Sequence, residues 1–171
     1  MPVRRVDVTD IKEINDFLGK CYCMHLGIQD SDGVYVVPVH FFYEVDENGK
    51  YTFYFHGSPR GKKADLLKQT AEAGKKVGFE MDEGYQMYTP KNPDMACDYS
   101  ALVTSAIGQG KLEFITEPED KKKVFIKMAK QVITDDPKRQ WKFSPSELKM
   151  VMMGKIEVTD FTVASYKNMP R

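Results

Sequence analysis

Residues 34–63 read VYVVPVHFFYEVDENGKYTFYFHGSPRGKK, and this stretch decides the fold. Residues 34–45 and 51–55 are rich in β-branched and aromatic side chains, a composition that predicts two β-strands. The four residues 46–49 (DENG) have turn chemistry, and residues 56–59 (HGSP) end the second strand in the same way. The stretch therefore predicts an antiparallel hairpin followed by a loop rich in glycine and basic residues.

Three cations, Arg60, Lys62 and Lys63, cluster at the start of a predicted helix over residues 61–73. The free N–H groups and the macrodipole of a helix present positive charge at its N-terminus, so cations there are unfavourable unless an anion binds. A phosphate bound at this loop would turn the three charges into a site. The alternative is that these side chains simply point into water, where surface charge contributes little. The predicted core face of this helix consists of Ala64, Leu67, Thr70 and Ala71.

Length and charge restrict the function classes. The chain of 171 residues fits one domain, residues 1–171, with a single core. Its 25 Lys and Arg residues balance its 25 Asp and Glu residues, so no net field attracts nucleic acid or an anionic membrane. No apolar run has the length of a membrane span, and no signal peptide opens the chain. We therefore expect neither a nucleic-acid partner nor a membrane partner.

The cysteines indicate a reducing compartment. The three residues Cys21, Cys23 and Cys97 are odd in number and contain only a C-x-C pair, which argues against a disulfide framework and favours the cytoplasm. No second ligand pair has the spacing of a structural zinc site, so we predict no metal. Cys21 and Cys23 share one face of a predicted strand and are expected to pack as small hydrophobic residues.

The rest of the chain predicts further helices and strands around the hairpin. Thr9 is the expected N-cap of a helix that Gly19 ends, with an apolar stripe formed by Ile11, Ile14, Phe17 and Leu18. Strands at residues 22–28, 34–45 and 50–56 are expected to form a three-stranded meander. Other strands are expected at residues 76–80, 99–107, 111–115, 150–156 and 161–166.

Two more segments complete this outline. Thr116 and Glu119 have capping-box spacing for a helix, which residues 135–137 (DDP) are expected to end. Its predicted inward residues are Val124, Phe125, Met128, Ala129 and Val132. Residues 82–97 form the longest irregular stretch, and a loop of that length is more often functional than idle.

The predicted elements favour a mainly β architecture of the α+β class. About six strands with antiparallel connections and flanking helices predict a closed β-barrel with helices packed against it. The dinucleotide fingerprint G-x-G-x-x-G is absent, which argues against a doubly wound sheet.

Residues 36–67, VVPVHFFYEVDENGKYTFYFHGSPRGKKADLL, resemble FMN-binding split-barrel proteins related to pyridoxamine 5′-phosphate oxidase, in the nitroimidazole-resistance-type branch. The shared pattern is an apolar strand with a central Pro-Val, a second strand ending in Tyr/Phe-His, and a helix start with Gly, a basic residue and Lys. Residues 105–110 (SAIGQG) are similar to the family's Ser-Val-Ile-Gly-x-Gly strand. The resemblance covers roughly residues 4–132 and implies a six-stranded antiparallel split β-barrel with flanking helices.

The resemblance implies an FMN site. Lys62 and Lys63 correspond to the basic pair that binds the phosphate, and Gly61 allows close approach. His56 is implied to face the phosphate or the ribityl chain. The three residues implied beside the flavin ring are Pro38, Val39 and His40. The oxidase branch has an Arg-Lys pair where this chain has two lysines, which removes a bidentate fork. Ser105 falls where that branch usually has a flavin-contacting Gln, so this contact is expected to be weaker or different.

The histidines have alternative interpretations. His25 is expected to be a packed or edge residue of its strand, and His40 fits a hydrogen-bonded core position as well as a flavin contact. His56 has the strongest functional indication because it ends a strand beside the basic loop. No catalytic residue is assigned from the sequence.

The function implied is an FMN-dependent oxidoreductase that acts on a small molecule, with a nitro compound as one candidate acceptor and a reduced nicotinamide as one candidate donor. One alternative is a haem-binding or haem-degrading protein on the same barrel, and another is a flavin-binding protein without turnover. No recognition motif for pyridoxal phosphate is visible, which argues against vitamin B6 oxidation.

The resemblance also implies a homodimer with the cofactor held between subunits. Residues 138–142 are basic and contain the single tryptophan, Trp141, which we predict reaches the flavin of the partner subunit. The alternative is that Trp141 anchors this loop to its own barrel.

Overall fold

The computed structural model of the chain describes residues 3–133 and 139–168. These residues form eight β-strands and four α-helices. The strands are β1 (Val3–Val8), β2 (Met24–Gln29), β3 (Val34–Val39), β4 (Phe41–Val45), β5 (Tyr51–Gly57), β6 (Lys76–Tyr88), β7 (Ser100–Phe114) and β8 (Met152–Asn168). The helices are α1 (Ile11–Leu18), α2 (Lys62–Glu72), α3 (Pro118–Val132) and α4 (Pro145–Lys149), and a 3₁₀ turn spans Ala96–Asp98. None of these four helices has the length and apolar composition needed to cross a bilayer.

The eight strands form one antiparallel sheet in the order β3-β2-β6-β7-β8-β5-β4, with β1 beside β8. Strand β8 pairs with β7 along one edge, and its other edge is divided between β5 at residues 152–157 and β1 at residues 163–168. The predicted mainly β, α+β fold with a split, barrel-like sheet is therefore confirmed. The sheet has eight strands instead of six, and it is not a closed barrel. Within residues 3–133 and 139–168, the edge strands β3 and β4 do not pair with each other.

The predicted strand over residues 34–45 is in fact two strands that meet at His40. Strand β3 pairs with β2, whereas β4 pairs with β5, so the chain passes here from one edge of the sheet to the other. Pro38 lacks an N–H and lies in edge strand β3, where a sheet tolerates proline. The β-forming composition continues through both strands, and for that reason the sequence did not reveal the corner.

The DENG turn is present as predicted. The carboxylate of Asp46 accepts hydrogen bonds from the backbone N–H groups of Asn48 and Lys50, both at 2.9 Å. Gly49 has a φ of +76°, in the left-handed region that glycine adopts without steric cost. The turn thereby joins β4 to β5 in the register that pairs Phe41 with Phe55.

Strands β7 and β8 are each continuous, although the sequence predicted two shorter strands in both places. In the sequence, the glycines of these strands indicated interruptions of the strand. In the structure they leave room for neighbouring side chains instead. A Cβ atom added at Gly108 would lie 2.5 Å from Cζ of Phe79, and one added at Gly154 would lie 2.3 Å from Cζ of Phe55. The polar segment of β8 around Thr159 is a bulge that shifts the register against β7, and the strand continues beyond it.

The core lies between the curved sheet and α2. Tyr51, Phe53 and Phe55 of β5 point inward, and the ring of Phe53 meets the rings of Phe41 and Phe79 edge to face. Helix α2 buries Ala64, Leu66, Leu67 and Thr70 against this core, which confirms most of the predicted helix face. The alternate residues of β5, including His56, consequently face the other side of the sheet.

Helix α3 packs on that other side. Its residues Val124 and Met128 are buried with Met153 of β8, as predicted for an inward face. Phe125 is half-buried there, and Val132 is exposed. The buried amine of Lys121 donates hydrogen bonds to the carbonyl oxygens of Leu148 (3.1 Å) and Val151 (2.8 Å), so α3 also fixes the start of β8.

Several predicted boundaries are wrong. Asp10, not Thr9, caps α1, because its carboxylate accepts from the N–H groups of Lys12 and Glu13. The N-cap of α3 is Glu117 without a side-chain hydrogen bond, so the predicted capping box does not form. Strand β1 was not predicted, and β6 continues to Tyr88, which shortens the irregular stretch expected at residues 82–97. The helix end predicted at residues 135–137 lies outside the described residues.

We predict that Gly154→Ala destabilises the protein by about 1–3 kcal/mol, because the new methyl group collides with Phe55 in a filled core. Gly33→Ala is the matched control, since no atom lies within 4 Å of a Cβ at that position. Urea denaturation of both variants measures the effect. Equal stability of the two variants would show that the Phe55 ring can move aside without cost.

Candidate functional site

The start of α2 is open to an anion. Gly61 is the N-cap residue with a φ of +92°, which glycine permits, and no side chain caps the first turn. The first N–H groups of the helix therefore lack an acceptor from a capping side chain. This arrangement supplies both the hydrogen-bond donors and the positive end of the dipole that favour phosphate.

Lys63 lies at the end of β5, over Gly57. A Cβ atom at Gly57 would be only 2.7 Å from Nζ of Lys63, so the glycine makes room for the ammonium group. Gly57 was not expected in the site from the sequence, although the dipeptide His-Gly at a strand end was a visible signal. The ammonium group of Lys63 is thereby held next to His56 and the first turn of α2.

Lys62 points elsewhere. Its Nζ lies 2.6 Å from a carboxylate oxygen of Asp30, in the turn between β2 and β3, and 5.2 Å from the centre of the Tyr35 ring. The hydrogen bond from Lys62 lowers the pKa of Asp30 below its usual value. The structure thus separates the two lysines: Lys63 faces the strand end, and Lys62 fixes the β2–β3 turn to the helix.

His56 is half-buried between the sheet and α3. Its ring centre lies 5.1 Å from that of Phe125 and 6.3 Å from that of His40, with edge-to-face geometry in both pairs. Its Nδ1 atom is buried and has no hydrogen-bond partner among the described residues. Burial lowers the pKa of His56, and the neighbouring His40 and Lys63 lower that pKa further. The ring is therefore a polar group that lacks a partner.

A phosphate group fits these features. The open helix start, the ammonium group of Lys63 and the unpartnered Nδ1 of His56 all lie where β5 leads into α2. An anion at the helix start could accept hydrogen bonds from the first N–H groups of α2 and from Lys63, and its negative charge would offset the charge of Lys63 that disfavours protonation of His56. This position can therefore bind the phosphate of a cofactor.

Helix α3 forms the cover above His56, and polar contacts fix its position. Glu44 of β4 accepts a hydrogen bond from the Tyr54 hydroxyl at 2.8 Å and pairs with Lys127 of α3. Burial raises the pKa of Glu44, but the hydrogen bonds from Lys127 and Tyr54 outweigh burial and hold that pKa below its usual value. The sequence analysis assigned Phe125 to the core and did not foresee its contact with His56.

Trp141 lies in the connection between α3 and α4. It is half-buried, and the guanidinium carbon of Arg139 lies 5.5 Å from the centre of its ring. Phe143, two residues further on, lies 6.2 Å from Phe125 between ring centres. The structure describes the predicted basic segment 138–142 only from residue 139 onward. The neighbouring residue Phe143 contacts the ring of Phe125, which covers His56.

The remaining predicted ring contacts lie on the sheet. Val39 is buried in the core, whereas Pro38 and His40 are exposed. Ser105 is half-buried in β7, opposite Asp82 of β6. Ser105 lies on β7 opposite Ala164 of β8, whereas His56 lies on β5 opposite Met153 of β8, so within one chain the structure does not bring Ser105 next to His56.

The family of the chain follows from sequence comparison. The family model for pyridoxamine 5′-phosphate oxidase matches residues 10–164, so the chain belongs to this family. A search of curated proteins finds no significant match.

Solved structures support the same fold. A protein of Bacteroides thetaiotaomicron VPI-5482, described as a candidate 5-nitroimidazole antibiotic resistance protein, is 25% identical with a TM-score of 0.75, over 96% of this chain and 89% of its own. The flavocytochrome Anf3 of Azotobacter vinelandii is 15% identical with a TM-score of 0.77, over 96% of this chain and 71% of its own. A FAD and haem binding protein of Mycobacterium smegmatis is 14% identical with a TM-score of 0.79, over 96% of this chain and 75% of its own.

The lowered pKa of His56 predicts a pH dependence of stability. An unfolded chain takes up a proton on this residue near pH 6.5, whereas folded His56 resists protonation until lower pH. Stability should therefore fall as the pH decreases below about 6.5, by at most about 1.4 kcal/mol per pH unit for one proton. Urea denaturation between pH 8 and pH 5.5 should show a shallower fall for His56→Gln. Identical slopes for the two proteins would mean that His56 titrates normally.

Proposed function

We propose that the protein binds FMN and acts as an FMN-dependent oxidoreductase on a small molecule. The observation that carries the proposal is the open start of α2 with Lys63 held over Gly57 at the end of β5; His56, next to Gly57 in sequence, adds a buried Nδ1 without a partner among the described residues. Membership of the pyridoxamine 5′-phosphate oxidase family supports it. When bound, the flavin supplies the redox chemistry.

The chain's own residues bind and orient the cofactor in this proposal. The N–H groups after Gly61 and the ammonium group of Lys63 hold the phosphate, and His56 contributes a hydrogen bond from the edge of the same position. His40 lies 6.3 Å from His56 between ring centres and belongs to the corner that follows Pro38. A cofactor anchored at the phosphate can therefore extend past His40 toward Pro38. Phe125 excludes water from the inner side of His56.

In the proposal, the electron donor and the electron acceptor are both small molecules. A reduced nicotinamide fits as donor, and the 25% identity to the candidate nitroimidazole resistance protein supports a nitro compound as acceptor. The three free cysteines support a cytoplasmic location, where thiols stay reduced.

Replacement of the two lysines separately tests the phosphate position. Lys63→Ala should weaken FMN binding about 10- to 150-fold, because a hydrogen bond to a charged group contributes about 1.5–3 kcal/mol. Lys62→Ala is the matched control and should change the affinity less than threefold, since Lys62 pairs with Asp30. Quenching of flavin fluorescence measures both values, and riboflavin, which lacks the phosphate, should bind all three proteins alike.

Three results would each contradict a part of this proposal. Equal FMN affinity of Lys63→Ala and the wild type would remove Lys63 from the site. A Soret band in the freshly purified protein, without flavin absorbance, would favour haem, for which His40 and His56 are the nearest imidazole pair among the described residues. FMN binding without turnover of any donor would leave a flavin-binding protein without catalysis.

We also propose that two copies of the chain form the complete site. On the outward face of β3, β2, β6 and β7, Gly27 and Gly78 pair across β2 and β6, so no side chain projects at this position. Around them, Val34 (70% exposed), Val36 (58%) and Ile107 (59%) leave apolar surface in water. A second copy would cover this surface and would enclose a flat ring that one chain only supports from one side.

Light scattering during size-exclusion chromatography should give the mass of a dimer for the FMN-bound protein. Trp141→Ala should keep that mass and weaken FMN binding about 2- to 10-fold if the indole stacks on the partner's flavin, as aromatic pairs contribute about 0.5–1.5 kcal/mol. A monomer with FMN fully bound would mean that one chain makes the whole site. Unchanged affinity of Trp141→Ala would leave the residue as an anchor of its own loop.

A further inference from the structure

A second group of polar side chains lies on the outward face of the sheet, away from His56. His25 of β2 and Glu80 of β6 are direct cross-strand partners. Asp82 follows Glu80 by two residues, so both carboxylates point to the same face of β6. Residues distant in sequence are thus brought together by strand pairing alone.

The distances within this cluster are short. Nδ1 of His25 lies 3.2 Å from a carboxylate oxygen of Glu80. One ligand atom from each of His25, Glu80 and Asp82 can be chosen so that all three lie within 4.8 Å of one another. Among the described residues, no lysine or arginine forms an ion pair with either carboxylate, and Glu80 pairs with the imidazole of His25.

The donor set matches a particular class of cation. An imidazole nitrogen with two carboxylate oxygens suits Zn²⁺ and similar divalent transition metals, whereas Mg²⁺ and Ca²⁺ prefer oxygen ligands alone. Metal–ligand distances of about 2.0–2.2 Å require donor atoms about 3.5 Å apart in a tetrahedral site. The 3.2 Å between Nδ1 of His25 and the Glu80 oxygen is already below this value. The upper limit of 4.8 Å on the three separations exceeds it by about 1.3 Å, a gap that rotation of half-exposed side chains can close.

The surroundings suit a cation as well. In the single chain, the side chains of His25 and Glu80 are 43% and 38% exposed, which leaves positions for water ligands. Glu80 pairs with Ile107, so a metal ion here would lie beside the surface that the proposed second copy covers. Cys23 lies beside the cluster, with Sγ 4.0 Å from Nε2 of His25. The carboxylate of Glu80 and the imidazole already face each other, so little reorganisation is needed on binding.

We propose that His25, Glu80 and Asp82 form a binding site for a divalent transition metal, with Zn²⁺ as the best-matched ion and water as the remaining ligand. The site is separate from the phosphate position at His56 and was not expected from the sequence, which predicted no metal. That prediction considered only cysteine spacing, whereas these three ligands come from two strands far apart in the chain.

Titration calorimetry with ZnCl₂ tests the site on the full chain in its natural oligomeric state. The starting protein carries Cys97→Ser, because Cys97 is an exposed thiol that could bind zinc by itself. We expect one Zn²⁺ per chain and much weaker binding of Mg²⁺. His25→Ala and Glu80→Gln should each weaken Zn²⁺ binding at least about tenfold, since loss of even an indirect ligand contact costs that much.

Asp160→Asn is the matched control, because it removes an exposed carboxylate from the bulged part of β8 and should leave the affinity unchanged. Thermal melting provides a second measurement: Zn²⁺ should raise the melting temperature of the starting protein and not that of His25→Ala. Absence of saturable binding at one ion per chain would overturn the proposal. Equal Zn²⁺ affinity in both ligand variants and the starting protein would overturn it as well.

Discussion

The ladder between β7 and β8 is the interaction on which the rest of the molecule depends. It runs from residue 103 to residue 114 of β7, and it leaves the opposite edge of β8 to be shared by β5 and β1. Strand β5 runs antiparallel to β8 and pairs only with its first part. The end of β5 therefore lies beside the beginning of β8, with Gly57 opposite Met152. The loop to α2 starts there, so the position of the proposed phosphate site follows from the division of a single strand edge.

The same division explains the two environments of the site residues. Alternation along β5 sends Phe55 into the core and His56 to the side covered by α3, where the imidazole is half-buried. Hydrophobic burial of α2 brings Lys63 to the strand end, and the ion pair with Asp30 holds Lys62 away from it. An anion at this point would be bound by groups whose places are set by core packing, which reduces the reorganisation needed on binding.

Much of the fold could be predicted from local patterns, and the errors have common causes. The DENG turn, β5, α2 and the buried face of α3 follow from composition, turn chemistry and periodicity. The corner at His40 could not be predicted, because both strands around it have the same composition and only their partners differ. Glycines in β7 and β8 resembled breaks because the rings that fill their places come from distant strands.

The site was predictable to a similar extent. Gly61, Lys63 and His56 were singled out from the family resemblance and lie within eight residues of each other, and their role in binding a phosphate stays a prediction. The separation of Lys62 from Lys63 depends on Asp30, which is more than 30 residues earlier and carries no recognisable signal. The cluster of His25, Glu80 and Asp82 depends wholly on strand register, which a single sequence does not reveal.

Pro38 has a consequence for how the protein behaves among other chains. Strand β3 is an edge of the sheet, with exposed valines at positions 34 and 36, and a flat apolar edge of this kind is a template for uncontrolled strand addition. Proline interrupts the row of N–H donors that an incoming strand would need, and the corner at His40 ends the edge two residues later. Strand addition at the β3 edge is thereby disfavoured, whereas the exposed valines on the face of this strand remain available for contact.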